Sequence, residues 1–166
     1  MNVAFHVMTA VATTAMVASS DRVPRGTVSR GAGCFFVCFV LHGVLDLLPH
    51  GYPFSARTDM LIGALLFPLG LFLLKRTHWI LFAAGYAGST IPDLIDLGPM
   101  MLNRAFGISG LPEAKYFFWH WPEYSGSIFD GSRPLESFFY HALVVFACGV
   151  ALWMGREAFR RSAIGA

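Results

Sequence analysis

Charge is what this sequence has least of. Only 13% of its 166 residues are Asp, Glu, Lys or Arg, whereas an ordinary soluble domain carries roughly a quarter. With 55% hydrophobic residues and a mean hydropathy of +0.57, the composition points to lipid rather than water as the solvent. The chain also lacks an excess of either sign. Its 12 basic and 10 acidic side chains leave a formal charge of +2, too slight to indicate a nucleic-acid or anionic partner. Cysteine is scarce: Cys34, Cys38 and Cys148 sit inside apolar runs with no CxxC spacing, so they give no disulfide framework and read as small buried hydrophobes. No internal repeat or low-complexity tract is present.

What the chain does have is apolar runs long enough to cross a bilayer with modest tilt, at 32–48, 59–74, 79–95 and 138–155. A weaker fifth run, 3–19, is diluted by Thr9, Thr13 and Thr14 and interrupted by His6. A cleaved signal peptide is the alternative for it. That run has no basic n-region, however, and cleavage near Ser19 would put Arg22, Arg25 and Arg30 on the translocated side, so a retained helix is expected. The expected fold is a single all-α domain over 1–166, a polytopic membrane helix bundle of about five transmembrane helices.

With the N-terminus outside, the inner side receives Arg22, Arg25, Arg30, Lys75, Arg76, Arg156, Arg160 and Arg161. The outer side keeps Arg57, Arg104, Lys115 and Arg133 in longer stretches of chain, which is the positive-inside pattern. The segment 97–137, rich in aromatics, Gly and Pro, is then expected to lie along the outer interface as short helices and turns.

Ionisable groups within or beside a membrane span are costly, so each requires a partner or a task. In this topology His6, His42, Asp46, His50, Asp59, Asp93, Asp96, His120 and His141 all fall at the outer face, and of the six histidines only His78 lies inside. The strongest local signal is LHGVLDLLPHGYP, residues 41–53. His42 and Asp46, four apart, share one helical face as a ready pair of ligands for a divalent metal such as zinc. Pro49 and Gly51 end the helix and let His50 turn back toward that pair.

The second signal is GSTIPDLIDLGP, residues 88–99, where Asp93 and Asp96 share a face after Pro92. Two carboxylates this close repel unless a cation or a shared proton relieves them. The blander readings are a hydrogen-bonded His42–Asp46 pair joining helices and a water-facing acidic helix end. His6 and His141 read equally as polar contacts or as ligands. His120, between Trp119 and Trp121, reads as an interfacial anchor or as the imidazole that completes a site.

These residues resemble a family of membrane-bound metal-dependent hydrolases of bacteria and archaea, small polytopic proteins distantly suggestive of zinc-dependent phospholipase C. The resemblance rests on His6, on the HxxxDxxPH stretch of His42, Asp46 and His50, and on the Pro92–Asp93 turn, over about the first hundred residues. It implies metal-ligand roles for His6, His42, Asp46 and Asp93, with Asp96 as a second carboxylate. An HRxxTHS stretch found in many members is absent, and HxxxD here precedes the proline–aspartate turn.

The expectation is a hydrolase of a phosphoester or lipid-type ester, a phospholipid or isoprenoid phosphoester by preference, at the outer face of a bacterial or archaeal plasma membrane. Divalent metal, zinc by preference, would be held by His6, His42, Asp46, His50, Asp93 and His141, with Asp96 as catalytic base. Arg104, Lys115 or Arg133 would steer a phosphate, and no nucleic acid is involved. The rival expectation is a non-catalytic subunit whose His/Asp cluster serves as a proton or ion site.

Overall fold

The apolar runs become helices whose starts are set by local chemistry. In a computed structural model the chain is described over residues 1–20, 26–53, 55–112 and 114–159, the side chains at 56, 57 and 104–106 excepted. Among the described residues the fold is all-helical, with α1 (Val3–Ser19), α2 (Thr27–Leu47), α3 (Ala56–Leu73), α4 (Trp79–Asp96), α5 (Gly98–Phe106) and α6 (Pro134–Met154). Short 3-10 turns lie at Arg76–His78, Phe118–His120 and Arg156–Ala158.

Helix α3 opens on Ser55, whose hydroxyl accepts from the Thr58 amide at 3.3 Å, with Asp59 in the first turn where the helix dipole favours a carboxylate. Helix α6 opens with Pro134, whose missing N–H costs nothing at that position, and with Glu136 behind it. Both α3 and α6 therefore begin a few residues ahead of their apolar runs, and α2 does the same.

Helix α1 packs against α2, α3, α4 and α6, and α2 lies along α4. At one end of the bundle the Met1 ammonium pairs with Asp46 at the close of α2. At the same end the Val3 and Ala4 amides donate to Asp59 of α3 at 2.8 and 3.3 Å. At the other end Ser19 donates to the Gly155 carbonyl at 3.2 Å, and the Lys75 amide donates to the Ala158 carbonyl at 3.1 Å. The long helices thus alternate up and down. Among the described residues, Arg30, Lys75, Arg76 and Arg156 belong to the second end and Lys115 and Arg133 to the first. Arg22, Arg25, Arg160 and Arg161 lie outside the described residues, as do the side chains of Arg57 and Arg104.

Beside large buried side chains such as Phe82 and Leu74, the interior holds many small and short ones, including Val7, Ala10, Thr14, Ala15, Cys34, Cys38 and Ser89, all fully buried. Such residues let helix backbones approach closely. At Gly88 the approach is extreme: a Cβ there would lie 2.2 Å from the Phe35 carbonyl oxygen of α2. The outside is the reverse, with Phe36, Val40, Leu65, Phe72, Phe146 and Trp153 all exposed. Helices α2 and α6, at 21 residues each, are long and apolar enough to cross a membrane; at 1.5 Å per residue each spans about 31 Å. Helix α1 and residues 58–73 are shorter apolar helices.

The segment after α4 does contain a short helix and turns, but part of it folds inward. Trp119 and His120 are buried while Trp121 is 40% exposed, so the interfacial-anchor reading of His120 does not suit its place. Trp119 lies flat on Gly43 of α2, where a Cβ would meet its ring at 2.8 Å.

Candidate metal centre

Pro92 is the local origin of the site. As a proline inside α4 it cannot donate to the Gly88 carbonyl, and the next carbonyl, that of Ser89, faces α2. The Ser89 carbonyl accepts from Nδ1 of His42 at 2.8 Å. A carbonyl only accepts, so His42 carries a proton on Nδ1, and a metal in the group would meet its Nε2 as the lone pair. One helical turn on, Asp46 sets Oδ2 3.1 Å from that Nε2, the face-sharing expected of a four-residue spacing.

Asp96 performs the same service for a second imidazole. Its Oδ1 accepts from the Tyr116 amide at 2.9 Å, and its Oδ2 accepts from the Phe117 amide at 3.0 Å and from Nδ1 of His120 at 2.8 Å. The carboxylate thereby holds the 116–120 turn and aims the other nitrogen of His120 inward. That Nε2 lies 3.0 Å from Asp46 Oδ2, 3.2 Å from Asp93 Oδ1 and 3.3 Å from His42 Nε2. His42 Nε2 lies 3.6 Å from Asp93 Oδ1.

His42, Asp46, Asp93 and His120 thus form a group able to hold a metal ion, with one ligand atom from each and all four within 4.8 Å of one another. The donor set passes a chemical test. Tetrahedral zinc with bonds of about 2.0–2.1 Å has ligand–ligand edges of roughly 3.3–3.4 Å, which the observed separations bracket. Both imidazoles also have their outer nitrogen tied to an acceptor, the arrangement that orients metal-binding histidines. Without a cation, burial opposes charge on His120, yet the carboxylates of Asp46, Asp93 and Asp96 outweigh it and push its pKa up to about 10.

The remaining expected ligands stand outside this group. His6 stacks on His42 with centroids 4.0 Å apart, and its Nε2 lies 3.2 Å from both the Met1 carbonyl and Asp46 Oδ1. It therefore donates to the back of Asp46, steadying the carboxylate whose other oxygen faces the group. His50 faces away from the pair it was expected to join, because its main chain is pinned: its amide donates to the Gly126 carbonyl and its carbonyl accepts from the Ile128 amide, each at 2.8 Å. His141 stacks on Phe5 at 4.5 Å and sets Nδ1 3.3 Å from the Ser137 hydroxyl. Asp96 stands behind His120 and does not line the cavity, which is a poor place for a general base. Of the two imidazoles left open by sequence, His120 completes the group. The lone signal for it was an imidazole amid aromatics in a segment that should otherwise be amphipathic.

A cavity of about 730 Å³ opens onto Asp46, Asp93 and His120. Its far walls are Met60, Leu97, Met100, Met101, Ile128 and Phe129, with Lys115 at the rim. Lys115 donates to the His120 carbonyl at 2.8 Å, which draws the cation close to the centre. No family model, curated protein or solved structure matches this chain.

Proposed function

We propose that the chain is a membrane-embedded, metal-dependent hydrolase of a phosphoester or lipid-type ester. One observation carries the reading: two buried imidazoles, each with its outer nitrogen tied to an acceptor, turn Nε2 toward the same point as two carboxylate oxygens. Asp46 is already paired with the Met1 ammonium, but two carboxylates in so small a space still repel unless a cation or a shared proton sits between them. A divalent ion, zinc by preference for a His2Asp2 set, would supply Lewis acidity toward a phosphoryl oxygen and toward water. The chain's own residues do the rest. Asp96 and Ser89 orient the imidazoles, Lys115 attracts an anionic group, and the apolar far wall accepts a hydrocarbon chain.

The proposal includes five membrane spans, α1 to α4 and α6, with the site at the outer face of a bacterial or archaeal plasma membrane. The alternating helix directions, the exposed apolar side chains of α2, α3 and α6, and the Lys/Arg distribution support it. The resemblance to membrane-bound metal-dependent hydrolases, carried by His6, His42, Asp46, Pro92 and Asp93, points the same way.

One observation favours a second reading, a proton or ion site. A protonated His120 bridging Asp46 and Asp93 relieves the same repulsion without metal. Metal analysis of the detergent-purified protein separates the two. The hydrolase reading expects about one zinc or manganese per chain, lost in His42→Ala and in Asp93→Asn; a metal-free wild type with pH-dependent ion flux in liposomes would replace it with the second.

A further inference from the structure

Beside the metal group the same cavity has a second polar wall, made of Tyr52, Ser125 and Ser127. Behind it lies His50, fully buried. Nδ1 of His50 is 2.7 Å from the Leu48 carbonyl and must donate to it, which leaves Nε2 as an acceptor. Burial reinforces this by holding the imidazole neutral, with a pKa lowered to about 4. That Nε2 faces the Tyr52 hydroxyl at 3.2 Å and the Ser127 hydroxyl at 3.4 Å. Tyr52 and Ser127 are 2.7 Å apart, and Ser125 and Ser127 are 2.8 Å apart.

The proton count decides what this wall can offer. Three hydroxyls supply three protons. In each fully bonded arrangement Ser125 donates to Ser127. Either Ser127 then donates to Tyr52 and Tyr52 to His50, or Tyr52 donates to Ser127 and Ser127 to His50. Both arrangements consume every proton inside the network and leave only lone pairs for the cavity. The pairing of residues 50 and 126–128 through the main chain fixes His50 as the sink toward which the protons run.

We infer that Tyr52, Ser125 and Ser127, ordered by His50, are the specificity wall of this site and select a substrate whose polar head carries hydrogen-bond donors. The inference rests on the hydrolase reading for the position of the phosphoester, which the metal group and Lys115 would hold. The apolar far wall makes the ligand an amphiphile, so the chemistry that fits is a phospholipid with a hydroxyl- or ammonium-bearing head. A trimethylated head offers no donor to these lone pairs and leaves them desolvated without a partner, which is where discrimination arises.

Dihexanoyl phosphatidylglycerol, phosphatidylethanolamine and phosphatidylcholine are the probes, with glycerol 3-phosphate as the chain-free control. Binding to the full-length protein in detergent is read by quenching of tryptophan fluorescence. The wild type should bind the glycerol and ethanolamine lipids about tenfold more tightly than the choline lipid, and glycerol 3-phosphate more weakly than either donor-bearing lipid. Ser127→Ala and Tyr52→Phe should each bring the three lipids to within about twofold of one another, and the milder Ser125→Ala should halve the preference or better. Equal binding of the choline lipid by a metal-loaded wild type overturns the inference and leaves the hydrolase reading standing. A protein that holds no metal yet keeps the donor preference overturns the hydrolase reading alone.

Discussion

Nε2 of His42 and Nε2 of His120 lie 3.3 Å apart, although one belongs to the last turns of helix α2 and the other to a short turn in an aromatic loop. Two ring nitrogens at that distance cannot both be bare acceptors without something positive between them. The fold brings them there deliberately, since each ring is tied by its other nitrogen, one to the Ser89 carbonyl and the other to Asp96. Asp46 and Asp93 then close the group from two further helix turns.

Asp96→Asn should weaken metal binding while leaving the helices in place. An asparagine can still accept through one oxygen but cannot serve the Tyr116 and Phe117 amides and the His120 ring together. The loss expected for a residue that orients a ligand is about 10- to 100-fold in metal affinity. Competition with a chelator measures it. An affinity unchanged within twofold would show that His120 holds its place without Asp96.

Much of this was legible in the sequence because hydropathy and four-residue spacing are local. Run 3–19 reappears as α1, run 79–95 as α4 with one more residue, and the shared face of His42 and Asp46 is a property of any helix. The early start of α6 at Pro134 was legible too, but only in capping chemistry, which a hydropathy window passes over. What the sequence hid is tertiary. His120 joins the group because Asp96, 24 positions earlier, captures its ring. His50 leaves it because residues 126–128 pair with its main chain. Neither contact leaves a trace in spacing.

His50 should make the fold sensitive to mild acid. Its pKa falls from 6.5 to about 4 in the native state, chiefly through burial. The unfolded chain takes up that proton as pH drops below about 6.5 and the native state does not, so stability is full above 6.5 and declines toward pH 4. Between pH 7 and pH 5 the loss from this residue is about 2 kcal/mol. Thermal melts in detergent of wild type and His50→Gln, compared at the two pH values, isolate it. Parallel pH slopes in the two proteins would mean that His50 already gains its proton in the fold.

The two ends of the bundle should label from opposite sides of the membrane. All three native cysteines are buried, at 5% exposure or less, so background labelling is low. A cysteine replacing exposed Ser132, at the site end, should react with an impermeant maleimide added outside whole cells, and one replacing Arg156 should not. His78, at the Arg156 end, should be dispensable for metal binding. External labelling at position 156 would invert the topology and carry the site to the cytoplasmic face.

Gly43 offers the sharpest separation of site from scaffold. A Cβ at this position would sit 2.8 Å from Cε3 of Trp119 and 3.0 Å from its Cδ2, closer than unstrained atoms allow. The indole has no easy escape, for it stacks on Phe117 at 5.1 Å and meets the edges of Phe39 at 5.5 Å and Phe118 at 5.1 Å. The 118–120 turn must therefore shift as a unit, and His120 is its last residue. Helix propensity pulls the other way, because alanine is favoured over glycine inside a helix by about 1 kcal/mol. Overpacking at the ring costs about 1–3 kcal/mol, so the net change in stability is small while the displacement of His120 is not. Gly43→Ala should thus lower the melting temperature only slightly and reduce metal affinity by at least about tenfold, as loss of ligand orientation does. Gly33→Ala, in the same helix with nothing within 4 Å of its new Cβ, should leave metal affinity untouched and match or exceed wild-type stability. If both variants bind metal as the wild type does, the 118–120 turn is not what positions His120, and the ring's place must be owed to Asp96 alone.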